Sequence, residues 1–226
     1  MENAINLTKL RARIDHLNEK LLSGIATRIN YPLNKGIFEE EFSEGKSWFL
    51  YRLKREQDLD SEFGRFLYND QIPFVFKKEE LVSAKINPSE NNGVVPIEAD
   101  FSNKVIKLYQ KIINKLCENK DDKSTYGEVT KLDVENVLTL NERTIGLGEQ
   151  VAGFKISRDS EISNFAPEEV RENLIKPGRE VEVINNIISI AKKYGIENEA
   201  LMKEFAKELI EITLDAEVHF IVNSKK

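Results

Sequence analysis

Apolar residues recur along most of this chain at steps of three and four, the period of a helix with one buried face. The longest such stretch covers residues 132–155, LDVENVLTLNERTIGLGEQVAGFK, with Val134, Val137, Leu138, Ile145, Val151 and Ala152 as its stripe. Arg143 and Lys155 project close beside that stripe. Gly146, Gly148 and Gly153 lie between and beside them, and each lowers helix stability by about 1 kcal/mol relative to Ala. Glycines this dense predict that a ligand or another helix comes very near the backbone.

A first helix is predicted over residues 5–30, with Leu7, Leu10, Ile14, Leu17 and Leu21 as a packing seam and Thr8 and Arg11 beside it. Arg28 falls on the seam close to Tyr31-Pro32, where the helix must stop, and reads as an arginine snorkelling at a helix end. A second helix is predicted over residues 39–66, its apolar members being Trp48, Leu50, Tyr51, Leu53 and Phe63. From 67 to 100 the pattern dissolves around Pro73, Pro88, Asn91-Asn92-Gly93 and Pro96. That reads as a long ordered excursion with one short helix near 78–82, pinned to the core by Phe74, Val75 and Phe76.

A third helix is predicted to follow, capped by Asp100 or Ser102 and reaching about residue 119. Val105, Ile106, Leu108, Tyr109, Ile112, Ile113 and Leu116 cover a broad arc of it, so it is buried on more than one side. Beyond residue 155 come a polar loop over 157–164 and a short helix opened by Pro167. Another helix is opened by Pro177 and closed by Gly195. Its stripe is Ile184, Ile187, Ile188 and Ala191, with Glu180 at the head. In the last helix, 199–222, Phe205, Leu209, Thr213 and Glu217 follow one line, so a hydroxyl and a carboxyl continue a buried apolar row. No strand pattern of any length occurs. The predicted architecture is all-α, antiparallel helices around one core in a single domain spanning residues 1–226.

Composition narrows the chemistry. A chain of 226 residues with 40% hydrophobic and 32% charged residues is ordinary for a soluble globular protein. A net charge of −6 argues against a general nucleic-acid binder or a binder of anionic membranes, so an anionic ligand needs a local cluster of cations. The single cysteine, Cys117, excludes an intrachain disulfide and, within an apolar helical run, reads as a buried inert thiol. Two histidines far apart give no metal-ligand spacing. No apolar run reaches about 18 residues, and MENAINLTKLRAR lacks the apolar stretch of a signal peptide, so a cytoplasmic location is expected. P-loop, Rossmann, HExxH, EF-hand and GxSxG patterns are absent, and GLGEQVAG is no phosphate loop because no strand precedes it.

Singly, each polar residue beside the stripes has a plain explanation. Arg11 is a rim arginine, Lys155 a helix-end cation, Glu180 a favourable anion in a first turn and Thr213 a hydroxyl bonding back along its helix. Their order and spacing point elsewhere. The segments LRARIDHLNEKLLSGIATR, YGEVTKLDVENVLTLNERTIGLGEQVAGFK, GREVEVINNIISIAKKYGI and ELIEITLDAEVHFI together resemble the all-helical chorismate mutases. The arrangement is closest to the larger fungal and plant-type enzymes, and the likeness is densest over 126–155 and 179–221.

That resemblance implies an isomerase of phenylalanine and tyrosine biosynthesis that rearranges chorismate to prephenate by a pericyclic reaction. It implies no cofactor, no metal and no covalent intermediate. Arg11 and Arg143 would each bind a substrate carboxylate, because a guanidinium meets a carboxylate in bidentate fashion. Lys155 would donate to the ether oxygen and a nearby carboxylate, Glu180 would accept from the substrate hydroxyl, and Thr213 would assist at a carboxylate. Glu217 would be the second donor to the ether oxygen, which requires it to be protonated. A homodimer with each site built within one chain is implied as well. The alternative is a non-catalytic helical binding or regulatory domain that kept the scaffold while its site decayed.

Three departures from the family pattern stand out. Arg143 and Lys155 are twelve residues apart where the family has eleven, which predicts a one-residue π-type bulge between Arg143 and Gly148. Lys176 stands where the family usually has Asn or Asp. The family's aromatic-amino-acid effector site corresponds here to Gly64-Arg65 and Gly127-Glu128…Lys131, with one arginine missing and a carboxylate in place of a serine. A tryptophan or tyrosine switch is therefore not expected.

Overall fold

A computed structural model of the chain describes residues 7–68, 71–86 and 100–224, with only the backbone of Leu7. Within them, α1 (Leu7–Arg28), α3 (Trp48–Glu62), α4 (Ser102–Leu116), α5 (Tyr126–Asn141), α6 (Leu147–Arg158), α7 (Pro167–Leu174), α8 (Pro177–Lys193) and α9 (Glu199–Asn223) carry the fold, and α2 (Gly36–Glu39) is a single turn. The predicted positions 5 and 6, the Leu7 side chain, Pro88, Asn91-Asn92-Gly93 and Pro96 lie outside the described residues.

Leu10, Leu17, Leu21, Leu22 and Ile25 bury the seam of α1, which packs on α5, α6 and α8. The last helix, α9, packs on α4, α6, α7 and α8. The main core runs from α1 through α3, α4 and α5 to α8 and α9; a second cluster lies among α6, α7 and α9, and Leu10, Leu17 and Leu147 form a third. A Cβ on Gly148 would lie 3.1 Å from the Ala216 Cβ and 3.2 Å from the Thr213 carbonyl oxygen. At this glycine the close approach is made by a neighbouring helix, and it brings α6 against α9.

Several expectations are corrected. The predicted helix over 39–66 is shorter, because a two-stranded hairpin, β1 (Glu41–Ser43) and β2 (Lys46–Ser47), occupies its start. Glu44 and Gly45 take φ of 57° and 69°, the left-handed pair that a tight hairpin turn demands. The Ser47 hydroxyl then accepts from the Leu50 N–H and caps α3.

Along the excursion, Phe74 is buried and both its backbone groups are held by Gln57, whereas Val75 (φ 72°) points out and does not pin the segment. A 3₁₀ turn, Lys78–Glu80, stands where a short helix was predicted. Neither candidate caps α4: Phe101 stands at the N-cap without a side-chain cap, and Asp100, one residue earlier, accepts from the Ser102 N–H and hydroxyl in a local turn.

Another correction concerns Arg28. It is wholly buried, with Nε 2.7 Å from Asp133 Oδ1 and its other nitrogens on the carbonyls of Pro32 (2.9 Å) and Leu33 (2.8 Å). The Tyr109 hydroxyl donates to the same Asp133 oxygen at 2.6 Å. α5 begins at Tyr126, six residues before the predicted start, and its Asp133 supplies a carboxylate opposite the end of α1. Cys117 is buried beside this group, and burial pushes its thiol up, away from the reactive thiolate.

Candidate active site

A straight α-helix turns about 100° per residue, so twelve residues would leave Arg143 and Lys155 about a third of a turn out of line. Residues Glu142–Gly146 form a π turn between α5 and α6, and the additional residue it accommodates restores the alignment. Both cations then face one cavity of about 410 Å³. Leu10, Arg11 and Ile14 reach it from α1; Leu147, Val151, Phe154 and Lys155 from α6; and Ile210, Thr213, Leu214 and Glu217 from α9. Leu174 and Ile175 close it beside α7, and Lys176, Arg179, Glu180 and Val183 line it at the head of α8. Every residue that the sequence nominated for the substrate lines this cavity, and five cations there face two carboxylates. In a chain of net charge −6 this is a basic well with apolar walls.

Arg143 is 4% exposed and donates from Nε to Asn18 Oδ1 at 2.6 Å. Burial pulls its pKa down to about 10, with Asp15 and Glu217 pulling back and Arg179 adding to the depression, so it stays charged at neutral pH. Among the described residues its terminal nitrogens have no acceptor. Arg11 is exposed and likewise has no hydrogen bond or ion pair among them. Lys155 Nζ lies 2.6 Å from Glu217 Oε2. Burial pushes the Glu217 carboxyl above the usual carboxylate range, while Lys155 and then Arg143 pull it back. Glu180 is half-buried and unpaired among the described residues. The Thr213 hydroxyl donates to the Leu209 carbonyl at 2.8 Å, so it must rotate before it can donate to a ligand.

Two polar residues, one lining the cavity and one behind it, were not nominated from the sequence. Arg179 lines the cavity and is held by Glu182 at 2.8 Å. Its signal was the run Lys176-Pro177-Gly178-Arg179, two cations at a helix N-terminus, where the helix dipole disfavours positive charge. Asn18, the partner of Arg143, gave no signal, since a lone Asn in an amphipathic helix is ordinary. The four residues of the corresponding effector position behave differently. Arg65, Gly127, Glu128 and Lys131 are all exposed and none lines the cavity; Arg65 pairs with Asp60 at 2.8 Å and Lys131 with Glu135 at 3.7 Å. A second cavity, about 420 Å³ between Leu33, Phe38 and α4, carries one cation, Lys35, against one carboxylate, Glu39, and is no anion well.

Comparison with known proteins points the same way. No family model matches the chain. It is 25% identical over 236 residues to a chorismate mutase of Trichoderma parareesei, covering 96% of this chain and 86% of the relative. The fold matches the chloroplast chorismate mutase of Zea mays with a TM-score of 0.81 at 18% identity, over 99% and 97% of the two chains. It also matches the Candida albicans chorismate mutase Aro7p, solved in complex with L-Trp, with a TM-score of 0.83 at 16% identity, over 97% and 91%. The resemblance read from the sequence is therefore shared by relatives and fold alike.

Proposed function

We propose that this chain is a chorismate mutase, and the chemistry of the cavity follows from that premise. The rearrangement needs no covalent catalysis. It needs the dianion held in its folded conformer and donors placed where charge builds on the ether oxygen. Arg11 and Arg143 bind the two carboxylates, and Glu180 accepts from the hydroxyl. Lys155 and a protonated Glu217 donate to the ether oxygen, and Thr213 assists at a carboxylate. In the empty site Lys155 and Glu217 hold each other; a bound dianion attracts Lys155 and raises Glu217 further, so the carboxyl takes up a proton and becomes a donor. An acceleration of about 10⁶-fold requires about 8 kcal/mol of differential binding, within reach of several charge-assisted hydrogen bonds.

The observation that carries this reading is the convergence of Arg11, Arg143, Lys155, Glu180 and Glu217 from separate elements onto one apolar-walled cavity. Two features favour a decayed site, the residue inserted between Arg143 and Lys155 and the presence of Lys176; the π turn accommodates the first, and the second adds a cation to the cavity lining. The test is to mix purified protein with chorismate. Loss of the enediene absorbance with appearance of prephenate supports the reading, and an unchanged spectrum at high enzyme concentration refutes it.

The proposal extends to assembly and regulation. Leu59, Phe63, Ile72, Val82 and Ile86 are exposed along α3 and the segment beside it, an apolar surface suited to a second copy of the chain, with each site within one chain. Sedimentation equilibrium tests the homodimer. At the position corresponding to the effector site, Arg65 and Lys131 already have carboxylate partners, so tryptophan and tyrosine leave the activity unchanged. Among the described residues no helix is long and apolar enough to cross a membrane. A cytoplasmic location is proposed, against the chloroplast named for the maize relative, and fractionation of the source cells tests it.

A further inference from the structure

We infer that Asn18 is a positioning residue that aims Arg143 through an uncharged acceptor, leaving its terminal nitrogens free of any bonded carboxylate for the incoming one. This rests on the chorismate mutase reading and deepens it. Asn18 is 2% exposed on α1, and its carbonyl oxygen takes the Nε hydrogen of Arg143 at 2.6 Å. Its amide nitrogen donates to Asn186 Oδ1 on α8 at 3.4 Å, which holds the acceptor facing the π turn. With Nε occupied, the two terminal nitrogens form the fork presented to the cavity, the geometry that a carboxylate meets with both oxygens.

The absence of charge on Asn18 is the informative feature. A buried guanidinium is ordinarily compensated by a carboxylate, since desolvating a lone charge is costly. Asn18 supplies direction without adding charge, and the two carboxylates that favour the charged Arg143, Asp15 and Glu217, make no hydrogen bond to it. A carboxylate at this position would satisfy the same hydrogen bond at the same distance, stabilise the empty protein, and compete with the substrate for the same charge. A purely structural Asn18 predicts the opposite response to Asn18→Asp: an ion pair replaces a hydrogen bond, and binding is unaffected.

Three variants decide it, each compared with the wild type for kcat, KM and thermal midpoint. Asn18→Asp is expected to raise KM for chorismate about tenfold or more, because a charge now opposes the substrate's. Its thermal midpoint should equal or exceed that of the wild type. Asn18→Leu should lower the midpoint and raise KM together. Asn186→Ala, which frees the Asn18 amide but keeps its carbonyl, should raise KM by about two- to fivefold with kcat nearly unchanged. If Asn18→Asp folds and its KM stays within twofold of wild type, the inference is overturned while the chorismate mutase reading stands. If Asn18→Asp fails to fold, an unchanged KM in Asn186→Ala overturns it instead. A wild type that does not consume chorismate overturns both.

Discussion

Two buried arginines lie on either side of the α1–α5 contact, and they differ in their partners. Arg28 is fully buried, and Asp133, two backbone carbonyls and the neighbouring Tyr109 complete its surroundings. Arg143 is almost as buried and has a single neutral partner, Asn18, with its terminal nitrogens turned to a cavity. The first is an internal structural network in which every Arg28 nitrogen is occupied, and removing either member of a buried ion pair strands the other. The second is left open, a charge held ready for a ligand. Burial alone does not separate them; what each guanidinium lacks does.

The largest expected effects split the two arginines cleanly. Arg143→Ala should lower kcat/KM by about 10³-fold or more while shifting the urea midpoint little. Arg28→Met should cost about 3–5 kcal/mol of stability in urea denaturation and leave kcat/KM per folded molecule close to wild type. An exchange of these outcomes would mean that the roles are reversed.

Next in size is the pH response. Glu217 must be protonated to donate, and burial already raises its pKa. Activity should therefore be full below that pKa in the complex and fall as pH rises through it. Glu217→Gln, a permanent donor, should stay active with a flatter profile, and an unchanged profile would remove Glu217 from the ether oxygen.

A register test follows. Deleting Gly146 should convert the π turn to regular helix and reduce the Arg143–Lys155 spacing to the eleven residues of the family, keeping kcat/KM within about tenfold. A loss beyond about 10²-fold would show that the π turn does more than restore alignment. The smallest effect belongs to the cavity mouth. Lys176→Gln should raise KM by about two- to fivefold and weaken its dependence on ionic strength, as expected for a partly screened rim cation.

How far the sequence revealed these features depended on range. The seams of α1, α4, α8 and α9 were legible because helical periodicity is local. The π turn was legible too, but only through the spacing of Arg143 and Lys155 against a family pattern. The hairpin before α3 was missed because its strands are three and two residues long, too short for alternation to register. Arg28 was misread because Asp133 lies 105 positions away, and no local rule couples them. Asn18 was invisible for the same reason: its meaning lies in the Arg143 side chain it faces. Positions along each helix were thus readable, whereas cross-helix partners were not.

The decisive experiment is a structure with a transition-state analogue bound. One analogue carboxylate should lie on the terminal nitrogens of Arg143 and the other on Arg11. Lys155 and Glu217 should stand within hydrogen-bond distance of the ether oxygen, with the Asn18–Arg143 contact retained. An analogue bound elsewhere, or bound here with Arg143 untouched, would contradict this assignment of the site.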